Sequence, residues 1–439
     1  MSTTFGSLAV RNYRLWFACA LISNVGTWMQ RIAQDWLVLT ELTDNDAQAV
    51  GITIGLQFAP MLLLLPWTGM VADRFDRRKV LYVTQSVSLA VGVALAIVTL
   101  AGVVNLALVY SLAFALGLAS AFDSPARLAF IGELVPNDRL ANAVSLNSAS
   151  FNSARLIGPG IAGLLIAVVG LGWVFVLNAF SFLAVLIAIA AIRTKDLVPV
   201  ERAPGVSGTL WEALRYVRGR PDIVLVLVLI FIWGTFGMNF PIFISSMTRI
   251  TFDLGPEAFG ILSSILAIGT VSGALLSAHR ESPRIGVIAW AASGATLALI
   301  LGGLAPDPWV FGLSLALSGI AAITIMTTAN SYVQVATAPA MRGRVMALYL
   351  ALFAGGTPIG APLMGFIAQV GGPRAAMLAA AGTTLVLVVI AVIYLIRTAS
   401  LRISWVPERR WPLRFTGRAA DRPLAEAEIA LTETEDEKT

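Results

Sequence analysis

Apolar runs of about 20 residues, each long enough to cross a bilayer as a helix, follow one another from near the start of the chain to Arg397. Cut at charges, prolines and glycines, they give twelve predicted spans: 14–40, 48–71, 80–102, 105–128, 138–168, 171–193, 222–249, 256–278, 285–304, 308–335, 343–370 and 374–397. All are predicted to be helices, because an open sheet in lipid leaves backbone groups unpaired. One polar stretch is much longer than the other breaks. Residues 194–221, "TKDLVPVERAPGVSGTLWEALRYVRGRP", begin with Pro and Gly and end in a predicted amphipathic helix, Leu210 to Arg218, lying at the membrane surface. The pattern therefore predicts an all-α polytopic membrane protein with twelve transmembrane helices in two six-helix bundles, residues 1–193 and 222–397, joined by the linker 194–221. A tail, 398–439, follows. It carries Trp405 and Trp411 among arginines as an interfacial anchor, and its acidic end, "AEAEIALTETEDEKT", is predicted to be disordered.

Composition agrees: 57% of residues are hydrophobic and 13% charged, where a soluble domain carries about 25% charged residues. The formal charge of +5 does not point to nucleic acid, because the basic residues fall in short clusters between apolar runs. Those clusters alternate. One set of connections holds Asp73–Lys79, Arg127–Arg139, Arg193–Arg220, His279–Arg284, Arg342–Arg344 and the tail. The other holds Glu41, Asp44 and Asp46, then "GVVN", "GLG", "FDLGPE", "APDP" and "VGGPR", and of 30 Lys plus Arg only Arg249 and Arg374 lie near it. The positive-inside rule then puts both termini in the cytoplasm of a cell whose inner membrane holds the chain. One cysteine, Cys19, and one histidine, His279, leave no multi-cysteine or His-rich metal site. Arg11 and Arg14 before "LWFACALIS" imitate a signal peptide, but the apolar pattern continues to Thr40 as one span.

The halves repeat at an offset of about 203, aligning Pro136 with Pro339, Arg139 with Arg342 and Pro159 with Pro362. Six spans, a linker and six spans, with parallel repeats, imply an axis along the membrane normal. Between the second and third spans stands "GMVADRFDRRK", with Gly69, Asp73, Arg74, Arg77, Arg78 and Lys79. This stretch resembles the signature of the major facilitator superfamily. Asp76 stands where that signature usually has a second Gly, so a tight turn there is in question. "RLIGPGIAG", with Gly158, Pro159 and Gly163, resembles the superfamily's Gly-Pro antiporter motif, and "NVGTWMQRIAQDWLVL" resembles its drug and siderophore exporter branch.

The resemblance implies that Asp73, with Arg74, Arg77 and Arg78, latches the N-terminus of the eleventh span near Arg342–Arg344 when the cytoplasmic side closes. A carboxylate at a helix N-terminus is favoured by roughly 0.3–1 kcal/mol. Taken as a topogenic loop, the same residues need no latch. A constant offset puts Ser277 where the second half would carry the Asp. Asp123 and Arg127, four residues apart, either join the latch or form a local pair. Charge within the membrane is costly and functional by default, which singles out Arg31, Asp35 and Arg155. Asn24, Thr27, Arg31 and Asp35 recur at steps of three, four and four and make one stripe of the first span, expected to face the central cavity. Burial favours a neutral carboxylate and a nearby cation favours a charged one. Asp35 is therefore expected to carry a proton as Arg31 approaches and withdraws, the alternative being a static Arg31–Asp35 pair; Asp123 is the next candidate. Gly158, Pro159 and Gly163 also read simply as a close-packing device. Trp233, Phe236, Met238 and Phe240, with Asn330, are candidates for an apolar substrate wall; as membrane aromatics they also read as lipid-facing or core.

Nothing resembles a P-loop. The sequence leads to a monomeric secondary transporter, without cofactor, that exports amphipathic compounds such as drugs or siderophores on the proton gradient. A lysophospholipid or lipid flippase, an importer, and a non-transporting receptor or scaffold are the alternatives; an enzyme is not supported, for no paired His, nucleophile elbow or metal set is found.

Overall fold

The computed structural model describes residues 3–198, 210–278, 283–399, 402–405 and 413–416; some side chains within these, Asp73's among them, lie outside the described set. Twelve helical passes run through the described residues. Spans 1 to 6 are Arg11–Leu37 continued by Val38–Leu42, Ala47–Leu63 with Leu65–Arg74, Arg77–Leu100, Leu106–Leu134, Asn137–Val169 and Leu171–Ala191. Spans 7 to 12 are Pro221–Ile232 with Trp233–Gly237, Phe240–Ser246 and Met247–Thr251; Pro256–Ala278; Ile285–Gly303; Pro308–Ala336; Pro339–Gly371; and Pro373–Ala399. Among the described residues ten helices are long and apolar enough to cross a membrane. Span 1 misses that mark because of its Gln, Arg and Asp residues. Span 2 misses it because the chain leaves helical geometry at Leu64 (φ −100°, ψ 5°), four residues after Pro60.

The linker helix forms at Leu210–Arg218. Its Glu212 pairs with Arg344 at 3.0 Å, and the Tyr216 hydroxyl accepts from the Ala338 amide at 3.1 Å, so the helix is fastened to the start of span 11. Beyond span 12 the chain makes a short antiparallel hairpin, β1 (Arg402–Trp405) on β2 (Leu413–Thr416). The sequence reading has no hairpin there. Trp411, the Trp405 side chain, the acidic end and His279 fall outside the described residues.

The halves repeat in detail. Gly170 and Gly372, 202 positions apart, hold φ of +84° and +83° between spans 5 and 6 and between spans 11 and 12. Asn105 and Asp307, also 202 apart, cap spans 4 and 10 with their side chains. Spans 1 and 7 both end in a wide turn, Val38–Leu42 and Met247–Thr251, which i→i−6 bonds from Asn45 to Leu39 and from Leu254 to Thr248 then close. Here the offset is 209. The repeat is thus not constant, and the alignment at 203 is one residue out in the later spans. Pro136 is an N-cap and Pro339 a first-turn residue, two positions that accept proline equally well. The equivalence of Ser277 with Asp73 goes with the constant offset.

Two crossings join the halves, and they are copies of one another. In one, Gly163 of span 5 lies on Gly260 of span 8, where a Cβ would overlap the opposite backbone. In the other, Gly365 of span 11 lies on Gly51 of span 2; a Cβ on Gly365 would come within 3.1 Å of the Gly51 Cα. Gly51 and Gly260 are 209 apart, Gly163 and Gly365 are 202 apart, so each seam is the repeat image of the other. Without Cβ atoms the backbones can approach closely, which is how helices associate in lipid. The Trp36 and Phe259 rings, 5.2 Å apart, and a 3.0 Å bond from the Ala47 amide to Gln369 add to the same end. All these contacts lie toward the acidic and neutral connections. That end of the molecule is closed.

Candidate functional site

Span 1 supplies most of the site. Its polar residues point to different neighbours inside the first half. Asn24, 8% exposed, donates to Ser150 of span 5 at 3.1 Å, and the Thr27 hydroxyl turns back to the Ser23 carbonyl. Gln30 accepts from Asn178 of span 6 at 2.7 Å, and Gln34 donates to the Val109 carbonyl of span 4 at 3.0 Å. A stripe facing only the space between the halves is therefore not what forms. In a low-dielectric interior each polar group needs a partner, and the nearest partners belong to the same bundle. Gln30 and Gln34 were missed in the sequence, although two glutamines inside an apolar run are themselves a signal of buried polar contacts.

Arg31 and Asp35 are buried, at 8% and 3% exposure. Neither belongs to any ion pair among the described residues, so the static pair is absent from this state. The Arg31 guanidinium lies 4.5 Å from the centre of the Phe58 ring and 5.3 Å from that of Trp28, with Ser120 at the limit of bonding, 3.5 Å from Nη2. Asp35 Oδ1 and Arg31 Nε are buried without a hydrogen-bond partner. Arg155 of span 5 places its own guanidinium 5.7 Å from the same Trp28 ring. Gly158 lets this happen, since a Cβ there would overlap the Trp28 side chain. The Gly-Pro motif is thus divided: Gly158 serves span 1, while Gly160 and Gly163 meet Ser264 and Gly260 of span 8. Pro159 sits inside the helix, half-buried.

Asp123 has a different setting. One carboxylate oxygen accepts from Thr84 at 2.9 Å and Gln85 at 2.7 Å; the other takes Arg127 at 2.9 Å, and Arg127 also lies over Trp16. That is a fastener between spans 3 and 4, with both carboxylate oxygens bonded.

At the basic end, Arg77 pairs with Glu133 at 2.8 Å and Arg78 donates to the Ile189 carbonyl at 2.8 Å. Asp76 accepts from the Lys79 amide as the N-cap of span 3, in extended geometry at φ −62°. The turn therefore needs no second glycine, and a capping carboxylate suits it. Gly69 has open space where a Cβ would stand, and Arg74 is exposed. The Asp73 side chain is outside the described residues. Arg344, near its expected partner site on span 11, is paired with Glu212.

The candidate apolar wall is only partly available. Trp233 is fully buried and Phe240 is 5% exposed, stacked edge-on against Phe243, so both are core of the second half. Phe236 and Met238 keep open surface. They flank a break: span 7 unwinds at Met238–Asn239, where the Asn239 side chain donates to the freed Thr235 and Phe236 carbonyls at 2.7 and 3.1 Å. Asn330, half-buried in span 10, accepts from Gln334 at 2.6 Å.

Comparison with known proteins bears on this arrangement as a whole. The chain is 25% identical over 365 residues to the staphyloferrin A transporter of Staphylococcus aureus, covering 82% of this chain and 90% of that protein. It is 25% identical over 397 residues to the enterobactin exporter of Escherichia coli O1:K1, covering 89% and 93%. Among solved structures, a POT family transporter in complex with a thioalcohol-conjugated peptide superposes with a TM-score of 0.71 at 14% identity, covering 88% of this chain and 96% of that one. A D-xylose-proton symporter superposes at 0.66 with 15% identity, covering 85% and 96%. At such identities the structural likeness speaks for the fold. The family described as transmembrane secretion effector, of the major facilitator type, matches residues 2–416. A chain of twelve passes in two repeated halves, matched over nearly its whole length, belongs to that family: it is a multi-pass membrane transporter and not an enzyme.

Proposed function

We propose that the protein exports siderophore-like or other amphipathic small molecules across the cytoplasmic membrane by alternating access, as a monomer, with both termini in the cytoplasm and inward proton flow as the driving force. The substrate class is supported by the two siderophore-transporting relatives. The orientation is supported by the basic connections at one end. Alternating access is supported by the paired glycine seams, which close one end by contacts that rigid halves can make and break together.

The observation that carries the coupling is Asp35. A carboxylate with one oxygen buried and unbonded, in a helix that crosses the membrane, is costly unless it works. Arg31, one turn earlier, is held by aromatic rings and leaves Asp35 free to take a proton; its return to Asp35 would release that proton. Asp123 is too fully bonded to be the first choice. In proteoliposomes carrying enterobactin or a fluorescent dye, an imposed pH gradient should drive uphill transport. Asp35→Asn should abolish uphill movement and leave downhill exchange. Uphill transport by Asp35→Asn with its pH dependence intact would return Asp35 to a structural role.

A further inference from the structure

The first half buries more positive charge than its own residues answer. Arg31 and Arg155 both lie over the Trp28 ring, at 5.3 and 5.7 Å, and no ion pair among the described residues includes either of them. The carboxylate of Asp123 is committed to Arg127, Thr84 and Gln85. Asp35 is the remaining acid of the span 1 interior, and one carboxylate cannot neutralise two guanidiniums. Cation–π contacts with Trp28 and Phe58 hold the two groups in place, but a ring carries no net charge. Two like charges kept together in a low-dielectric setting repel strongly, and an arrangement of this kind persists where a counter-charge arrives to complete it.

The surroundings say what that counter-charge is attached to. Phe151 meets Trp28 edge-on at 6.0 Å and is 48% exposed, and Trp28, Phe58 and Arg155 are each only partly buried. The cluster thus borders accessible space with aromatic faces on show. Guanidinium groups are planar forks that match the two oxygens of a carboxylate or similar oxyanion. We propose that Arg31, Arg155, Trp28 and Phe58 form the recognition point of the transported compound, which is an organic anion bearing an oxyanion beside a planar ring. This names the substrate class of the transport reading above and rests on it.

The test is a binding measurement, independent of any gradient. The full chain in phosphatidylcholine nanodiscs is titrated with benzene-1,3,5-tricarboxylate and, separately, with its uncharged trimethyl ester, following thermal stabilisation and equilibrium binding. The tricarboxylate should bind and the ester should not. Arg31→Gln and Arg155→Gln should each weaken the tricarboxylate about 10-fold, the loss of one charge-assisted contact, and Arg155→Lys should recover part of it. Arg220→Gln, in the second half and paired with Asp222, should bind as the unaltered protein does. Should Arg31→Gln fail to fold, the half-buried Arg155 carries the test alone. Equal binding of the ester, or unchanged binding by Arg155→Gln, overturns the proposal. So does loss of tricarboxylate binding in phosphatidylglycerol discs, which would make the site a lipid headgroup's. A protein that binds the anion but shows no proton-driven transport would instead sink the coupling reading and leave this one standing.

Discussion

The two halves share caps, wide turns and glycine crossings, yet what they bury in the equivalent place is opposite in kind. At the offset of 209 set by the wide turns, Arg31, Gln34 and Asp35 of span 1 correspond to Phe240, Phe243 and Ile244 of span 7, which are 5%, 1% and 2% exposed. Gln30, bonded to Asn178, corresponds to Asn239, whose side chain caps a broken helix. One half carries charge on a continuous helix; the other carries a discontinuous helix with apolar cover. The contacts that close the molecule are present twice, whereas the buried charges to which the coupling and recognition proposed above are assigned are present once. A symmetric gate can therefore serve an asymmetric reaction, since changes in the charged half need not disturb the crossings.

The strongest way to break that comparison is at the seams. Gly163→Leu and Gly365→Leu each force a side chain into opposing backbone, so both should abolish transport to the same degree while the protein still inserts. Thiol labelling of a cysteine at Gln369 should show the closed end standing open in both. Loss in only one variant would mean that the seams are not equivalent. A smaller effect separates the interiors. Asp123→Ala strands Arg127 and should cost roughly 3 kcal/mol in detergent unfolding, while Asn239→Ala leaves two carbonyls to find new donors and should cost about 2 kcal/mol. If Asn239→Ala were neutral, the break in span 7 would not depend on its side-chain cap. The smallest effect tests the repeat itself. Asn105→Ala and Asp307→Ala remove equivalent N-caps and should each cost about 1 kcal/mol, read as matching shifts in melting temperature.

Much of this architecture is legible in the sequence because lipid imposes one rule on every span. Residues 138–168 and 374–397 are predicted and Asn137–Val169 and Pro373–Ala399 form, since Pro and Gly mark helix ends wherever the apolar run stops. The linker helix, Leu210–Arg218, is legible from its charged face. Span 7 is not. By hydropathy residues 222–249 look like one uninterrupted apolar helix, which says nothing of a break that falls just before Pro241, in the first turn of the next segment, and whose freed carbonyls Asn239 bonds. The charged candidates Arg31, Asp35 and Arg155 are legible because charge in an apolar run is rare. Their partners are not, because packing selects them: Phe58 of span 2, together with Trp28 of span 1 itself, draws Arg31 off the Asp35 that stands one turn away in the sequence. The second-half wall fails for a related reason. Trp233 and Phe240 look alike as ligand-facing and as core residues until packing decides, and here it buries them.

The linker's fastening to span 11 sets the length of the leash between the halves. On one side Val198 is held by a 2.9 Å bond to the Glu133 carbonyl, itself next to the Arg77 pair. On the other, Glu212 and Tyr216 tie the linker helix to the second half. Between these two anchors stand residues 199–209, whose covalent reach is at most roughly 36–40 Å. That is comparable to the thickness of the bilayer itself. Within that reach, how wide the molecule gapes is governed by where the helices touch.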